Sequence, residues 1–353
     1  MLLKQSFIEK ILASANIVEV VQGDLQLTKA GDNYKACCPF HAEKTPSFQV
    51  SQSRQIFKCF GCGEGGNVIR YVMLRNRLTF PDAVKSLAER LAMPLEYEGK
   101  GIQPDPAEAK SREAIHTVNQ LATRYFALSL PEAKDAMEYL GARLTPEDIA
   151  TWHIGYAPDG WQGLLDFFRS QHVLEEAFLA SGLIREHKSR GTLYDFFRGR
   201  IIFPIHDLLG RVIAFGGRSL QTDEKVPKYM NSPETPLYSK SNVLYGLNQA
   251  THSIREKKSC NLVEGYTDVI ALHRIGITNT VGACGTSVTT QQLALIAKYC
   301  QHLNIIADGD WAGQKSTLRS GDLALSLGFK VTTTLLPKGD PDNLVKHFEC
   351  QHL

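Results

Sequence analysis

Two pairs of metal-ligating side chains constrain this chain more than any other feature: Cys38-Pro-Phe-His41 and, after a 17-residue spacer, Cys59-Phe-Gly-Cys62. The two-residue gaps let each pair chelate from a tight turn, where Pro39, Gly61 and Gly63 stand. Three sulfurs and an imidazole suit tetrahedral Zn²⁺, which has no geometric preference of its own. The intervening Ser47-Phe-Gln-Val and Gln55-Ile-Phe-Lys predict a hairpin that brings the pairs together. Cys37 abuts the first pair, but ligation from it would give a C-x3-H gap unlike the C-x2-C opposite, so it is expected in the core. Eight cysteines without a secretion signal read as reduced thiols and metal ligands rather than a disulfide framework. The apolar stretch from Phe7 to Val21 is broken by Glu9, Lys10, Asn16 and Glu19, which excludes a signal core or a membrane span there. The cytoplasm is the expected location, with no membrane partner.

At 43% hydrophobic and 22% charged, 353 residues carry apolar material for two or three packed domains. A formal charge of +2 gives no overall basic excess, so any nucleic-acid contact must come from charge gathered on one face. In the Cys-rich head, Tyr34, Lys35, Lys44, Phe48, Arg54, Phe57, Lys58 and Phe60 interleave aromatic and basic side chains, the combination that stacks bases and neutralises phosphates. A head this small also needs part of those aromatics for its core, and none is singled out as a contact.

Residues 99–112 are polar, rich in Gly and Pro, and lack a hydrophobic period, which predicts a flexible linker. Apolar residues at helical spacing follow (Ile115, Val118, Leu121, Tyr125, Leu128), and Thr145-Pro-Glu-Asp148 reads as the capped start of a further helix. Arg200 to His206, a turn at Asp207-Leu-Leu-Gly210, and Arg211 to Phe215 predict a β-hairpin. After Cys260, short apolar runs alternate with amphipathic ones, which predicts a parallel α/β sheet.

Five carboxylates lie just past predicted strands of that sheet: Glu264, Asp308, Asp310, Asp340 and Asp342. Strand ends of a parallel sheet share one edge, so these residues converge in the crevice where such folds bind ligands. Packed carboxylates repel unless a cation neutralises them, and Mg²⁺ takes oxygen ligands from a few carboxylates while keeping water and substrate phosphate. The cluster therefore points to metal-assisted phosphoryl chemistry. Gly309 to Ser316 lacks the adjacent Gly-Lys-Ser/Thr of a phosphate loop and is set aside.

Taken together these residues resemble the bacterial DnaG-type primases. The head reads Cys37 to Phe48 and Cys59 to Gly63 as that family does. Ile154-Gly-Tyr-Ala-Pro, Arg211 to Arg218 and Pro227 to Thr235 resemble its core motifs, and Glu264-Gly-Tyr-Thr-Asp268 with Asp308-Gly-Asp310 resembles the Toprim metal-binding motifs. The resemblance implies an α+β zinc-ribbon-like head over residues 1–98 and, after the linker at 99–112, a mixed α/β catalytic core. That core comprises an N-terminal part at 113–258, a Toprim-type parallel sheet at 259–342, and the start of a shortened C-terminal part at 343–353.

It implies one structural Zn²⁺ on Cys38, His41, Cys59 and Cys62, and catalytic Mg²⁺ or Mn²⁺ on Glu264, Asp308 and Asp310 with Asp340 and Asp342. Glu264 is ligand or base. Arg198, Arg200, Lys228, Asn231 and Lys240 are expected to line a nucleotide and template groove. The implied activity is synthesis of short RNA primers from ribonucleoside triphosphates on single-stranded DNA at the bacterial replication fork. Two departures stand out: Lys338-Gly-Asp-Pro-Asp342 lacks the first Asp of the family's Asp-Gly-x-Asp-Pro-Asp, and the sequence reaches only Leu353, where the family continues, so the helicase-binding domain and its contact with the replicative helicase are not expected here. A non-catalytic single-stranded DNA-binding relic and a Toprim nuclease or topoisomerase are the alternatives.

Overall fold

Alternating inward side chains on short strands organise the first part of the chain. The structure is a computed structural model that describes residues 3–345 apart from Arg77, Lys188, Arg190, Thr222, Glu224, Asn343, Leu344 and residues 98–105, 284–286, 308–310 and 337–340. It divides into two units, Met1–Asp105 and Pro106–Leu353.

In the first unit, helices α1 (Gln5–Ser14) and α2 (Ile17–Gln22) precede strands β1 (Thr28–Ala30), β2 (Asn33–Ala36), β3 (Phe48–Ser51), β4 (Ile56–Cys59) and β5 (Gly65–Gly66), followed by α3 (Val68–Arg75) and α4 (Phe80–Arg90). The strands form an antiparallel sheet in chain order. The expected hairpin is β3–β4, with Phe48 opposite Cys59 and Ser51 opposite Ile56. Phe48, Val50, Phe57 and Cys59 are buried on one face, as a period of two requires. Above them Phe40, Phe48, Phe57 and Tyr71 form a cluster with ring centroids 5.4 to 6.2 Å apart. Side chains cap the helices: Asn16, Asn67 and Thr79 accept from Val18, Arg70 and Asp82 backbone N–H groups. Cys37 corrects one expectation, since it is exposed while Ala36 and Cys38 on either side of it are buried.

The second unit begins with α5 (Pro106–Ser129), so residues 106–112, expected as linker, are helical. Proline lacks only an N–H that the first turn leaves unpaired anyway, and Glu108 complements the positive helix end. Then come α6 (Lys134–Gly141), α7 (Pro146–Thr151), β6 (Gly155–Ala157), α8 (Gly163–Ser170), α9 (Glu175–Ala180), β7 (Ile184–Glu186), β8 (Leu193–Asp195), β9 (Arg200–His206), β10 (Val212–Ser219) and β11 (Tyr229–Asn231). A 3₁₀ turn (Lys240–Asn242) and α10 (Leu247–Lys257) lead into β12 (Ser259–Val263), α11 (Tyr266–Arg274), β13 (Thr280–Gly282), α12 (Thr290–Ala297), β14 (His302–Ala307), α13 (Trp311–Ser326) and β15 (Lys330–Leu335). The expected β9–β10 hairpin forms, within an antiparallel sheet of order β11-β10-β9-β6. The expected parallel sheet forms with order β13-β12-β14-β15.

A shared core joins the two sheets, with Ile201, Phe203 and Ile213 of one in the same cluster as Val263 and Ile306 of the other. Tyr266, opening α11, stacks on Phe203 of β9 with centroids 4.9 Å apart and rings 8° from parallel. Gly216 of β10 is what lets it in, because a Cβ there would overlap the Tyr266 phenol. On the other side of β9 and β10, Phe126 of α5, Phe168 of α8 and Phe178 of α9 share a buried cluster with Ile202 and Phe215. Among the described residues, no helix is long and apolar enough to cross a membrane.

Candidate metal and nucleic-acid sites

The β3–β4 hairpin brings the two ligand pairs of the head together. The ligand atoms of Cys38, His41, Cys59 and Cys62 all lie within 4.8 Å of one another. Cys38 Sγ is 3.9 Å from Cys62 Sγ, and Cys59 Sγ is 3.8 Å from His41 Nδ1. Metal–sulfur bonds of about 2.3 Å at tetrahedral angles put ligand atoms about 3.8 Å apart, so the spacing fits Zn²⁺. Backbone N–H groups support the sulfurs: Phe40 donates to Cys38 Sγ and Cys62 to Cys59 Sγ, each at 3.4 Å. Burial raises the Cys59 thiol, but hydrogen bonds led by the one from Ser47 outweigh it and bring its pKa down to about 6, while burial pushes the neighbouring Cys38 thiol up to about 12, so Cys38 gives up its proton only on ligation.

Glu43 is a functional residue that spacing alone did not reveal. Its Oε1 accepts from the backbone N–H groups of Cys38 (2.6 Å) and Ser47 (3.0 Å), and its Oε2 accepts from the Ser47 hydroxyl (2.5 Å) and faces His41 Nε2 at 3.2 Å. A carboxylate on Nε2 leaves Nδ1 to the metal. Cys37 lies outside the ligand cluster.

At the C-terminal edge of the parallel sheet, Glu264 follows β12 with its side chain exposed. The turn behind it is fixed by Asp268, whose Oδ2 accepts from Gly265 N at 3.0 Å and whose Oδ1 accepts from Asp342 N at 3.3 Å. Asp342 is 2% exposed, and its Oδ2 pairs with Arg143 Nε at 3.3 Å. The structure therefore brings Glu264 and Asp342 to the first turn of α11, while Asp308, Asp310 and Asp340 lie outside the described residues.

The motif at Pro227 to Thr235 reaches the same turn. Tyr266 donates its hydroxyl to Asn231 Oδ1 at 2.7 Å, so β11 is held against the residue two beyond Glu264. Lys228 is exposed just before this strand, and its carbonyl accepts from Ser219 N at 2.8 Å. Arg200 is 5% exposed and donates from Nη1 to the Pro227 carbonyl at 2.8 Å, tying β9 to the backbone that leads into Lys228. Arg198 lies over the Trp161 ring, 3.9 Å from its centroid, and donates to the Asp195 carbonyl at 2.7 Å. Lys240, in the 3₁₀ turn, is held through its backbone by Glu234 Oε1 at 2.8 Å and Gln292 Nε2 at 3.3 Å. Arg143 and Arg218 were not read from the sequence as site residues. Both guanidinium groups stack on Tyr139, at 4.0 and 4.2 Å from the centroid, and Arg218 also donates to the Tyr229 hydroxyl at 2.6 Å.

Family models described as the N-terminal domain of the DNA primase catalytic core, a CHC2 zinc finger and a Toprim-like domain match residues 125–251, 3–102 and 261–345. The DNA primase of Pseudomonas aeruginosa is 41% identical over 353 residues, covering 98% of this chain and 53% of that protein. The DNA primase of Clostridium acetobutylicum is 40% identical, covering 98% and 57%. The chain thus spans about half the length of the curated relatives it matches. Among solved structures, the zinc-binding and RNA polymerase domains of Aquifex aeolicus primase match with a TM-score of 0.65 at 35% identity, over 98% of this chain and 83% of that one. The DnaG primase catalytic domain bound to single-stranded DNA matches with a TM-score of 0.59 at 36% identity, over 69% and 81%.

Proposed function

The chain belongs to the bacterial DnaG-type DNA primases, and from that membership we propose that it makes short RNA primers on single-stranded DNA by template-directed nucleotidyl transfer. The observation that carries this reading is the Tyr266–Asn231 hydrogen bond, which fastens a nucleotide-type motif to the acidic turn at Glu264. In the reaction, the 3′-hydroxyl of one ribonucleotide attacks the α-phosphate of the next, gives up its proton, and expels pyrophosphate as the phosphodiester forms. Glu264 with Asp308, Asp310, Asp340 and Asp342 would hold Mg²⁺ or Mn²⁺. When bound, the metal supplies positive charge against the α-phosphate and the departing pyrophosphate.

Lys228 and Arg198 offer cationic donors for phosphates, and Asn231, its Oδ1 oriented by Tyr266, offers its amide to a sugar or base. Arg200 supports the strand that carries Lys228. The zinc head grips the template, and the cytoplasmic replication fork is the setting this reading implies.

Incubation of the zinc-loaded chain with Mg²⁺, ribonucleoside triphosphates and single-stranded DNA is expected to yield oligoribonucleotides. Glu264→Gln is expected to lower that yield by about 100-fold or more. Undiminished synthesis by a folded, zinc-containing variant rules out the assignment of Glu264, and template binding without synthesis by the unaltered chain favours the non-catalytic alternative.

A further inference from the structure

We propose that Phe60 is the head's stacking platform for one unpaired template base, an inference that rests on the template-directed reading above. Phe60 is 68% exposed, whereas Phe7, Phe48, Phe57 and Tyr71 of the same unit are 1% exposed or less. Among the described rings of this unit Phe80, at 41%, is the next most exposed, on α4 rather than on the zinc turn, and a ring left as open as Phe60 adds little to a small domain's core. The ring stands on the turn between the zinc ligands Cys59 and Cys62, and the Phe60 backbone N–H donates to the Ser47 carbonyl at 3.0 Å. Metal ligation on both sides and this hydrogen bond hold the backbone still, so stacking there costs little ordering of the protein.

The charge around the ring fits a nucleic-acid strand. Residues directly opposite one another in a sheet share a face, so Lys35, Gln49 and Lys58 emerge in one row on the face opposite Val50 and Phe57. Lys58 lies against Gly65, where a Cβ would meet its stem at 2.8 Å, and donates from Nζ to the Gly63 carbonyl at 2.5 Å. Its ammonium is thereby placed on the turn that carries Phe60, with Lys35 exposed two strands away in the same row. An exposed ring on a turn that also receives a lysine ammonium, with a second lysine in the same row of the sheet, matches a base and its neighbouring phosphates.

The test uses the whole zinc-loaded chain and fluorescently labelled single-stranded DNA. Phe60→Ala and Phe60→Leu are each expected to weaken binding by roughly 5- to 100-fold with zinc content unchanged, while Phe60→Trp holds or tightens it. The salt dependence of binding is expected to be unchanged in Phe60→Leu, because a neutral ring releases no counterions, and to flatten by about 0.7 in log–log slope in Lys58→Gln. Single-stranded DNA carrying 5-iodouracil is expected to photo-cross-link to Phe60, which locates the contact independently of any binding by the second unit. Binding that is unchanged in Phe60→Leu, with no cross-link at Phe60, overturns the stacking role and leaves the template reading standing. Failure of the unaltered chain to bind single-stranded DNA overturns both.

Discussion

Glu43 shows how much one side chain settles at the zinc centre. Its two oxygens receive four donors or near donors: two backbone N–H groups, the Ser47 hydroxyl and the His41 ring. The Ser47 hydroxyl in turn lies 3.2 Å from Cys59 Sγ, so one carboxylate orders both halves of the ligand set. The same hydrogen bonds, that of Ser47 foremost, hold the Glu43 carboxyl below its ordinary pKa. Glu43→Gln keeps the shape but loses the acceptor that fixes the His41 tautomer. Zinc affinity is expected to fall roughly 10- to 100-fold, measured by competition with a chromophoric chelator, while a metal-saturated sample keeps its circular dichroism. An unchanged affinity would mean that His41 is oriented by the turn alone. The sequence held a signal for this role, since a carboxylate two residues past a histidine ligand can fold back on the ring, but spacing does not say which of Glu43 and Lys44 turns inward.

Elements carry constraints that single residues do not, and α7 is the clearest case. Thr145 and Asp148 form a reciprocal capping box, with Thr145 Oγ1 accepting from Asp148 N at 3.1 Å and Asp148 Oδ2 accepting from Thr145 N at 2.9 Å. The same Oδ2 receives Arg274 Nη1 from α11 at 3.1 Å, and that nitrogen also donates to the Arg143 carbonyl at 2.9 Å. Asp148 therefore caps one helix and pins another, the one that begins two residues after Glu264. Asp148→Ala is expected to destabilise the second unit by about 3 kcal/mol, combining a lost cap with the loss of the carboxylate that faces Arg274 in a largely buried place, whereas Thr145→Ala loses only about 1 kcal/mol. Urea midpoints at constant slope separate the two, and equal costs would show that the Arg274 pair contributes nothing.

The cap was legible because its residues are local in sequence, and its partner Arg274 was not, because nothing local links positions so far apart. The β9–β10 hairpin and the strand–helix alternation after Cys260 were legible for a similar reason, since each repeats a period over several residues. Three-residue strands such as β6, β7, β8 and β11 carry too few alternations to show a period; β6 and β11 are held by the longer β9 and β10, and β7 and β8 by each other. Asn261 and Asn304 stand within the apolar strands β12 and β14, and no local pattern shows what they pair with. They form a ladder, Asn304 Nδ2 donating to Asn261 Oδ1 at 3.0 Å and Asn261 Nδ2 to Asn279 Oδ1 at 3.2 Å.

At the scale of the molecule, the division at Asp105 and Pro106 separates two units with different sources of stability. The first has a small aromatic cluster under four metal ligands, whereas the second has extensive buried clusters across two sheets and, among its described residues, no cysteine and histidine set of that kind. In a domain as small as the first, metal binding contributes folding free energy directly, so removing zinc is expected to unfold it while leaving the second unit intact. The distribution of tryptophan makes this visible, because Trp152, Trp161 and Trp311 all lie in the second unit. Tryptophan emission therefore follows the second unit alone, and far-ultraviolet circular dichroism follows both. In urea, a chelator is expected to add an early transition to the dichroism curve and leave the emission midpoint in place; restoring Zn²⁺ is expected to remove it. A chelator that moves the emission midpoint by the same amount would show that the units unfold as one and that zinc stabilises the whole chain.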